Sequence, residues 1–324
     1  MPATLDIVCA VYNDEGCIER TVDAIAQAVD PLGLDWRMLL VNDGSRDQSW
    51  PVLCRLAERR DNLTVLDLSR NFGQQIAVSA GLDFAEADYV VVVDSDLQDP
   101  PSAIPELLRK LREEDLDVVY ACRRVRHDPP LKRLTSWVFW RVIHLLAGPA
   151  ITPNQMMLRG MSRRYVRAFR SLREQHRIVA GLSAWLGFRQ GRIEVEAGAG
   201  IRGRSNYDLK RLVSLALDAT TSLSVVPLRF ATALGFLVTT AAVLFGAYTL
   251  VKMWVLGGLL PGFTTLVLLI SGFAGIQLTI LGILGEYLGR VLREAQNRPL
   301  YLVRELRGAT PSVVASSLPL PPVR

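Results

Sequence analysis

Two runs of this 324-residue chain carry no acidic or basic side chain for the length of a bilayer, and they limit its fold more than any other feature. Phe230 to Val251 extends over 22 residues without a charge, and Phe263 to Gly285 over 23 with Gln277 as its one strongly polar side chain. Each is long enough to span the hydrocarbon core as a helix. A helix of a soluble core is shorter, about 12 residues, and carries a polar stripe. The connector Lys252–Gly262 holds one basic residue, whereas Lys210, Arg211 and Arg229 precede the first run and Arg290, Arg293 and Arg298 follow the second. That bias predicts a hairpin with both termini in the cytoplasm. The expected partition is a cytoplasmic domain with basic membrane-proximal helices over 1–228 and two transmembrane helices within 229–286, at about 230–251 and 263–285. A juxtamembrane segment and disordered tail follow over 287–324, Pro-, Ser- and Ala-rich from Gly308 onward.

The front of the chain reads differently. Leu5–Val11, Arg37–Val41, Leu63–Leu68, Tyr89–Val93 and Asp117–Ala121 are short, β-branched and nearly continuous in apolar residues. Such runs predict strands buried on both faces. Between them, Glu15–Val29, Asp47–Arg60, Gln74–Ala87 and Ile104–Glu114 set apolar residues at helical spacing. The alternation predicts an α/β domain with a mostly parallel sheet, where ligands bind beyond the carboxyl ends of the strands. Strand-like residues begin at Leu5, which leaves no room for a cleaved signal peptide, so this domain is expected to stay cytosolic.

The polar motifs fall at those strand ends. The fourth strand runs into Asp94-Ser95-Asp96-Leu97-Gln98-Asp99, two carboxylates two residues apart as an apolar strand leaves the sheet. Oxygen donors so placed suit Mg²⁺ or Mn²⁺, which shares its shell with substrate phosphates. The same residues also suit a helix cap ahead of Pro100-Pro101. The second strand leads to Asn42-Asp43-Gly44-Ser45-Arg46-Asp47, where Asp43 could meet a base or ribose edge and Asp47 could cap the next helix. Tyr12-Asn13-Asp14-Glu15 follows the first strand with an aromatic face and two acids.

Other classes are excluded by what the sequence lacks. The net charge of +5 comes with no zinc-finger spacing and no stacking motif, so phosphate or anionic lipid, not nucleic acid, is the expected partner. Neither Gly-x-Gly-x-x-Gly nor a P-loop occurs. Cys9, Cys17, Cys54 and Cys122 lie far apart and read as reduced thiols, and His127, His144 and His176 form no metal-ligand cluster. Basic residues thicken at Arg123, Arg124, Arg126, Lys132, Arg133 and Arg141, then at Arg159, Arg163, Arg164, Arg167, Arg170, Arg173 and Arg177. The second group is expected on a solvated helix face or against anionic headgroups. Leu134–Leu146, with Trp137, Phe139 and Trp140, reads as an interfacial or a core helix.

Taken together, these motifs resemble the family-2 glycosyltransferases of GT-A fold, in particular the polyprenyl-phosphate sugar transferases. That group includes the bactoprenol glucosyltransferases, the undecaprenyl-phosphate aminoarabinose transferases and dolichol-phosphate mannose synthase. The resemblance runs through Val11-Tyr12-Asn13, Asn42-Asp43-Gly44-Ser45, Ser69-Arg70-Asn71-Phe72-Gly73, Asp94 to Pro101, Gly203-Arg204-Ser205-Asn206-Tyr207, Val226-Pro227-Leu228-Arg229, Leu284 to Arg290 and Arg298 to Tyr301. It implies a metal held by Asp94 and Asp96, Asp96 being catalytic, and a nucleotide-sugar held by Tyr12, Asp14, Asp43, Asp94, Gln98 and Arg123. The lipid phosphate would meet Arg204, Ser205 and Tyr207. It further implies inverting transfer of one sugar from a UDP-hexose, glucose foremost, to undecaprenyl phosphate at the bacterial inner membrane, with Mg²⁺ or Mn²⁺. The product would serve lipopolysaccharide or other surface glycan, and homo-oligomerisation is left open.

The chain departs from the pattern at Ala10 (for Pro), Asn42 (for Asp), Asn206 (for Lys) and across Pro153 to Arg159, where relatives often carry acids and only Arg159 matches. That stretch motivates one rival reading, a catalytically impaired membrane scaffold. A processive polysaccharide synthase, the other rival, would need a Gln-x-x-Arg-Trp motif and further spans, which the sequence lacks.

Overall fold

The computed structural model describes residues 3–124, 155–175, 177, 179–196, 226–256 and 262–308. The chain divides into two compact units, one of Met1–Trp140, Pro149–Tyr207 and Pro299–Arg324, the other of Arg141–Gly148 and Asp208–Arg298. The segment expected at Leu134–Leu146, and the chain beyond Gly308, lie outside the described residues.

The first unit is built on an eight-stranded sheet. Its strands are β1 (Thr4–Val11), β2 (Asp35–Asn42), β3 (Leu63–Leu68), β4 (Tyr89–Asp94), β5 (Val118–Arg123), β6 (Gln155–Ser162), β7 (Gln190–Val195) and β8 (Val303–Gly308), in the spatial order β7-β5-β6-β4-β1-β2-β3-β8. The central pairings β3–β2, β2–β1 and β1–β4 are parallel, as is β5–β7, while β6 and β8 run antiparallel to their neighbours. The mixed α/β architecture with parallel strands at its centre is the one expected.

Strand β1 shows why. Leu5, Ile7, Cys9 and Val11 feed one core while Val8 and Ala10 feed the other, so both faces are covered. Helices α1 (Ile18–Val29), α2 (Ser49–Arg59) and α4 (Ile104–Glu113) pack on the first face through residues such as Ile25, Leu53 and Leu107. Helices α3 (Gln74–Phe84) and α5 (Arg163–Ser171) pack on the second, and α6 (Val179–Leu186) adds Leu182. With helices on both faces, parallel pairing needs no exposed strand face. Helix α3 comes closest: a Cβ built on Gly81 would lie 2.4 Å from Val8 Cγ1 and 3.2 Å from Val41 Cγ2.

Three strands were not foreseen in the sequence: β6, β7 and β8. The last changes the boundary of the domain. The expected limit of 228 omits 303–308, yet that segment pairs antiparallel with β3 from Thr64↔Gly308 to Leu68↔Val303. Gly308, expected to begin the tail, closes this strand at φ +93.

The second unit contains helices α7 (Val226–Leu256) and α8 (Phe263–Ala295), 31 and 33 residues long. The two expected spans fall inside them. Ile280 lies against Gly235, and large apolar side chains such as Phe236, Trp254, Leu278 and Leu288 are exposed. Among the described residues, Gly272–Ala295 is long and apolar enough to cross a membrane.

The contact at Gly81 is testable. Gly81→Val should destabilise the first unit by about 1–3 kcal/mol, the usual cost of overpacking, read as a lowered denaturation midpoint of the purified protein in detergent.

Candidate active site

The chain leaves β1, builds β2 and β3 on one side, and returns to place β4 on the other side of β1. Where strand order reverses in this way, the loops leaving the carboxyl ends splay apart and a crevice opens between them. Four loops meet at this edge: Tyr12–Asp14 after β1, Asp43–Ser45 after β2, Ser69–Gly73 after β3 and Ser95–Asp99 after β4.

The last of these is folded on its own carboxylates. Asp94 Oδ1 accepts the Ser95 N–H at 2.9 Å, Asp96 Oδ1 accepts the Gln98 N–H at 2.9 Å, and Leu97 takes a positive φ of 59° between them. Gln74, the first residue of α3, donates its side-chain amide to Asp94 Oδ1 at 3.2 Å. The Ser95 hydroxyl donates to Asp14 Oδ2, and Thr21 Oγ1 donates to Ser95 O at 2.7 Å. These contacts join the β1 and β4 loops into one wall.

The β2 and β3 loops form the other. Both oxygens of buried Asp43 accept main-chain N–H groups, from Phe72 at 2.7 Å and Gly73 at 2.9 Å. Gly44 sits at φ +63, and a Cβ there would meet Arg70 C at 2.4 Å, so the two loops touch only because residue 44 is glycine. Arg70 lies over the Phe72 ring at 4.0 Å.

Of the residues expected in the site, Tyr12, Asp14, Asp43, Asp94, Asp96 and Gln98 therefore gather at one edge. Tyr12 is exposed, whereas Asp14 and Asp43 are buried and occupied in bracing neighbouring loops. Arg123 is exposed at the end of β5, on the same edge but beyond β6. Arg204, Ser205 and Tyr207 lie outside the described residues. Arg70, Phe72, Gln74 and Ser95 lie at the same edge. Ser69–Gly73 stood out in the sequence as a motif, but nothing local showed that its turn would fold against Asp43.

Charge is distributed unevenly between the two edges of the sheet. At the amino ends, buried Asp6 takes Arg37 at 3.0 Å through both oxygens, and buried Asp117 takes Arg164. In the basic run around α5, expected to be solvated or against headgroups, Arg163, Arg164 and Arg167 are exposed, Arg163 pairing with exposed Asp88, while Arg170 donates to Leu82 O and Ala85 O and Arg173 pairs with Asp83. At the carboxyl ends, Asp94, Asp96 and Asp99 have no arginine or lysine within 4.0 Å among the described residues. Burial, and then the charge of Asp96, push Asp94 up to about 6. Burial and the charge of Asp94 push Asp99 up to about 7.

Hard oxygen donors crowded until they resist ionisation fit a divalent cation. Among the described residues no three His, Cys, Asp or Glu side chains converge as a complete cage. Asp94 and Asp96 would accordingly hold the ion jointly with substrate phosphates.

Glycosyl transferase family 2 is matched over residues 6–171. The bactoprenol glucosyl transferase of Shigella phage SfII is 32% identical over 308 residues, covering 95% of this chain and 99% of that one. The undecaprenyl-phosphate 4-deoxy-4-formamido-L-arabinose transferase of Shewanella sediminis is 31% identical over 309 residues, covering 93% and 92%. Among solved structures, glucosyl-3-phosphoglycerate synthase of Mycobacterium tuberculosis, in complex with Mn²⁺, UDP and phosphoglyceric acid, superposes with a TM-score of 0.50 at 22% identity over 68% of this chain and 77% of that one. The fold is thus GT-A-like. The chain belongs to glycosyl transferase family 2, in its polyprenyl-phosphate sugar transferase group.

The raised carboxylates set a pH dependence. A carboxyl whose folded pKa exceeds its unfolded value near 3.8 holds its proton more tightly in the folded protein. Its contribution to stability is therefore lost as pH rises from about 4 through about 7. Without divalent cation, Asp99→Asn should melt above the unsubstituted protein at pH 8, with the gap closing toward pH 4. A gap that stays constant across this range in a thermal-shift series would contradict the assignment.

Proposed function

We propose, on the premise of a family 2 glycosyltransferase, that this protein moves one sugar from a nucleotide-sugar to a polyprenyl phosphate, inverting the anomeric carbon, at the cytoplasmic face of a bacterial inner membrane. The observation that carries the reading is the carboxylate cluster Asp94, Asp96 and Asp99 at the switch point of the sheet, on which buried Arg159 acts at Asp99 alone and in which Asp94 and Asp96 are ion-paired to no residue among those described. It suits a cation-bound diphosphate, and it would repel a bare one. The phage and Shewanella relatives are named for different sugars but both for a prenyl carrier. Likeness therefore supports the acceptor class better than the sugar, for which UDP-glucose is the first donor to test.

In the proposed reaction an oxygen of the lipid phosphate forms the new bond to the anomeric carbon as the bond from that carbon to the nucleoside diphosphate breaks. When bound, a divalent cation would offset the charge of the departing diphosphate. Asp94 and Asp96 would supply its ligands, and the Gln98 and Ser95 N–H groups keep those carboxylates in place. The acceptor phosphate, with a second pKa of about 6, is already ionised at neutral pH and needs no general base. The absence of an acid across Pro153 to Arg159 is therefore compatible with turnover.

Connectivity supports the proposed membrane arrangement. The chain leaves the first unit, passes through α7 and α8, and returns so that β8 hydrogen-bonds to β3. A single crossing would put β8 and β3 on opposite sides of the bilayer; two crossings return them to one side. The hairpin over 230–251 and 263–285, with both termini cytoplasmic, satisfies this requirement together with the bias of basic residues.

Two experiments test the proposal. Asp96→Asn should abolish metal-dependent transfer from UDP-glucose to undecaprenyl phosphate while leaving membrane insertion and the melting temperature nearly unchanged; full turnover in that variant would remove Asp96 from the chemistry. A topology reporter fused after Arg324 should read cytoplasmic and one inserted at Gly257 should read external, and matching readings at the two points would exclude the hairpin.

A further inference from the structure

Ser69–Gly73, the loop that carries Arg70 and Phe72, is anchored from two directions. At its far end Asp43 takes the Phe72 and Gly73 N–H groups. At its near end the Ser69 N–H donates to Leu302 O at 2.9 Å, and Ser69 O accepts from Arg304 Nη2 at 2.6 Å. Arg304 Nη1 also reaches Asp67 Oδ2 at 3.1 Å, and Asp67 Oδ1 accepts from Asn42 Nδ2 at 2.7 Å. Both main-chain groups of Ser69 thus go to residues 302 and 304, at the start of β8, which the chain makes only after α7 and α8.

The same segment is fastened to the other end of α3. The Tyr301 hydroxyl donates to Asp83 at 2.8 Å, and Arg173 donates to the same carboxylate at 2.7 and 3.2 Å. Helix α3 begins at Gln74, which holds Asp94. The stretch 301–304 therefore touches both the loop that forms one wall and the helix whose first residue holds Asp94 in the other.

We propose that Arg304 is a positioning residue for the donor nucleotide, tying down the near end of Ser69–Gly73 so that Arg70 and Phe72 are ordered before the nucleotide arrives. The inference rests on the reading that the donor occupies this edge of the sheet. Arg304 is 60% exposed and its partner Asp67 3%. Asp67 keeps the Asn42 amide when Arg304 is removed, so the variant loses some stability at a buried carboxylate and, separately, the tie that orders the loop through Ser69 O. A loop left to be ordered by the ligand lowers that ligand's affinity without removing any of its contacts.

The test uses the full chain in detergent, titrated calorimetrically with UDP and, separately, GDP in the presence of Mn²⁺, alongside amide hydrogen exchange of residues 69–73. Arg304→Ala should weaken the nucleotide that binds by about tenfold, as expected for one charged hydrogen bond, speed exchange across 69–73 more than across β1 and β2, and lower the melting temperature by only a few degrees, about what loss of one partner of Asp67 costs. Arg304→Lys keeps the charge beside Asp67 but cannot span Asp67 and Ser69 together, and should fall between. Arg307→Ala, which removes an exposed partner of Glu305 and Glu58 on the same strand, should behave as the unsubstituted protein. Unchanged affinity and exchange in Arg304→Ala, or equal weakening by Arg307→Ala, would overturn the inference while the donor site stands. Failure of the unsubstituted protein to bind either nucleotide would overturn the donor site, and the inference with it.

Discussion

Strand β1 is buried on both faces and hydrogen-bonded along both edges to strands that run parallel to it. Parallel pairing brings every carboxyl end to the same edge of the sheet, and the order β4-β1-β2-β3 then puts four loops side by side. No individual motif positions the site. Asp94 and Asp43 meet the same crevice because Ala10 pairs with Asp94 on one side of β1 and Val11 with Asn42 on the other. An interruption of β1 would scatter these loops before any of their own contacts were lost.

Electrostatics then separates the two edges of the sheet. Arginines neutralise the buried acids at the amino ends, where Asp6 and Asp117 are each matched by a guanidinium. At the other edge three aspartates crowd together, and two of them hold their protons far above the usual carboxylate range. Keeping such a cluster costs stability, since charge of one sign is concentrated where solvent is partly excluded. A cation held by these carboxylates would relieve that cost.

The sequence was most readable where chemistry is local. Strands β1 to β5 announce themselves as apolar runs, and the polar residues that end them mark the edge that bears the site. The strand β8 sequence, Val-Arg-Glu-Leu-Arg-Gly, has no such run; its identity comes from pairing with β3. Strand β6, with its two adjacent methionines, carries little β-branched character and is equally silent. Arg163, Arg164 and Arg167 of α5 are exposed, as a solvated face requires, but the ion pairs of Arg163 with Asp88 and Arg164 with Asp117 could not be read from sequence because those acids lie in distant parts of the chain. Asp43 could be identified as a strand-end acid, but not as one whose two oxygens would both be taken by the backbone of another loop.

The long detour between β7 and β8 costs the sheet less than its length suggests. Asp67 and its partner Arg304 are 237 residues apart in sequence. For a flexible connection, each doubling of length adds only about 0.6 kcal/mol to the entropy of closure, and α7 and α8 make much of this connection rigid. What the detour changes is order in time. Residues 5–99 contain every loop of the crevice, yet Ser69 has its main-chain partners only after residue 304 has been made and returned to the sheet. A chain synthesised from its amino terminus can fold β1 to β4 early, but the loop after β3 is secured last, after both long helices have been made.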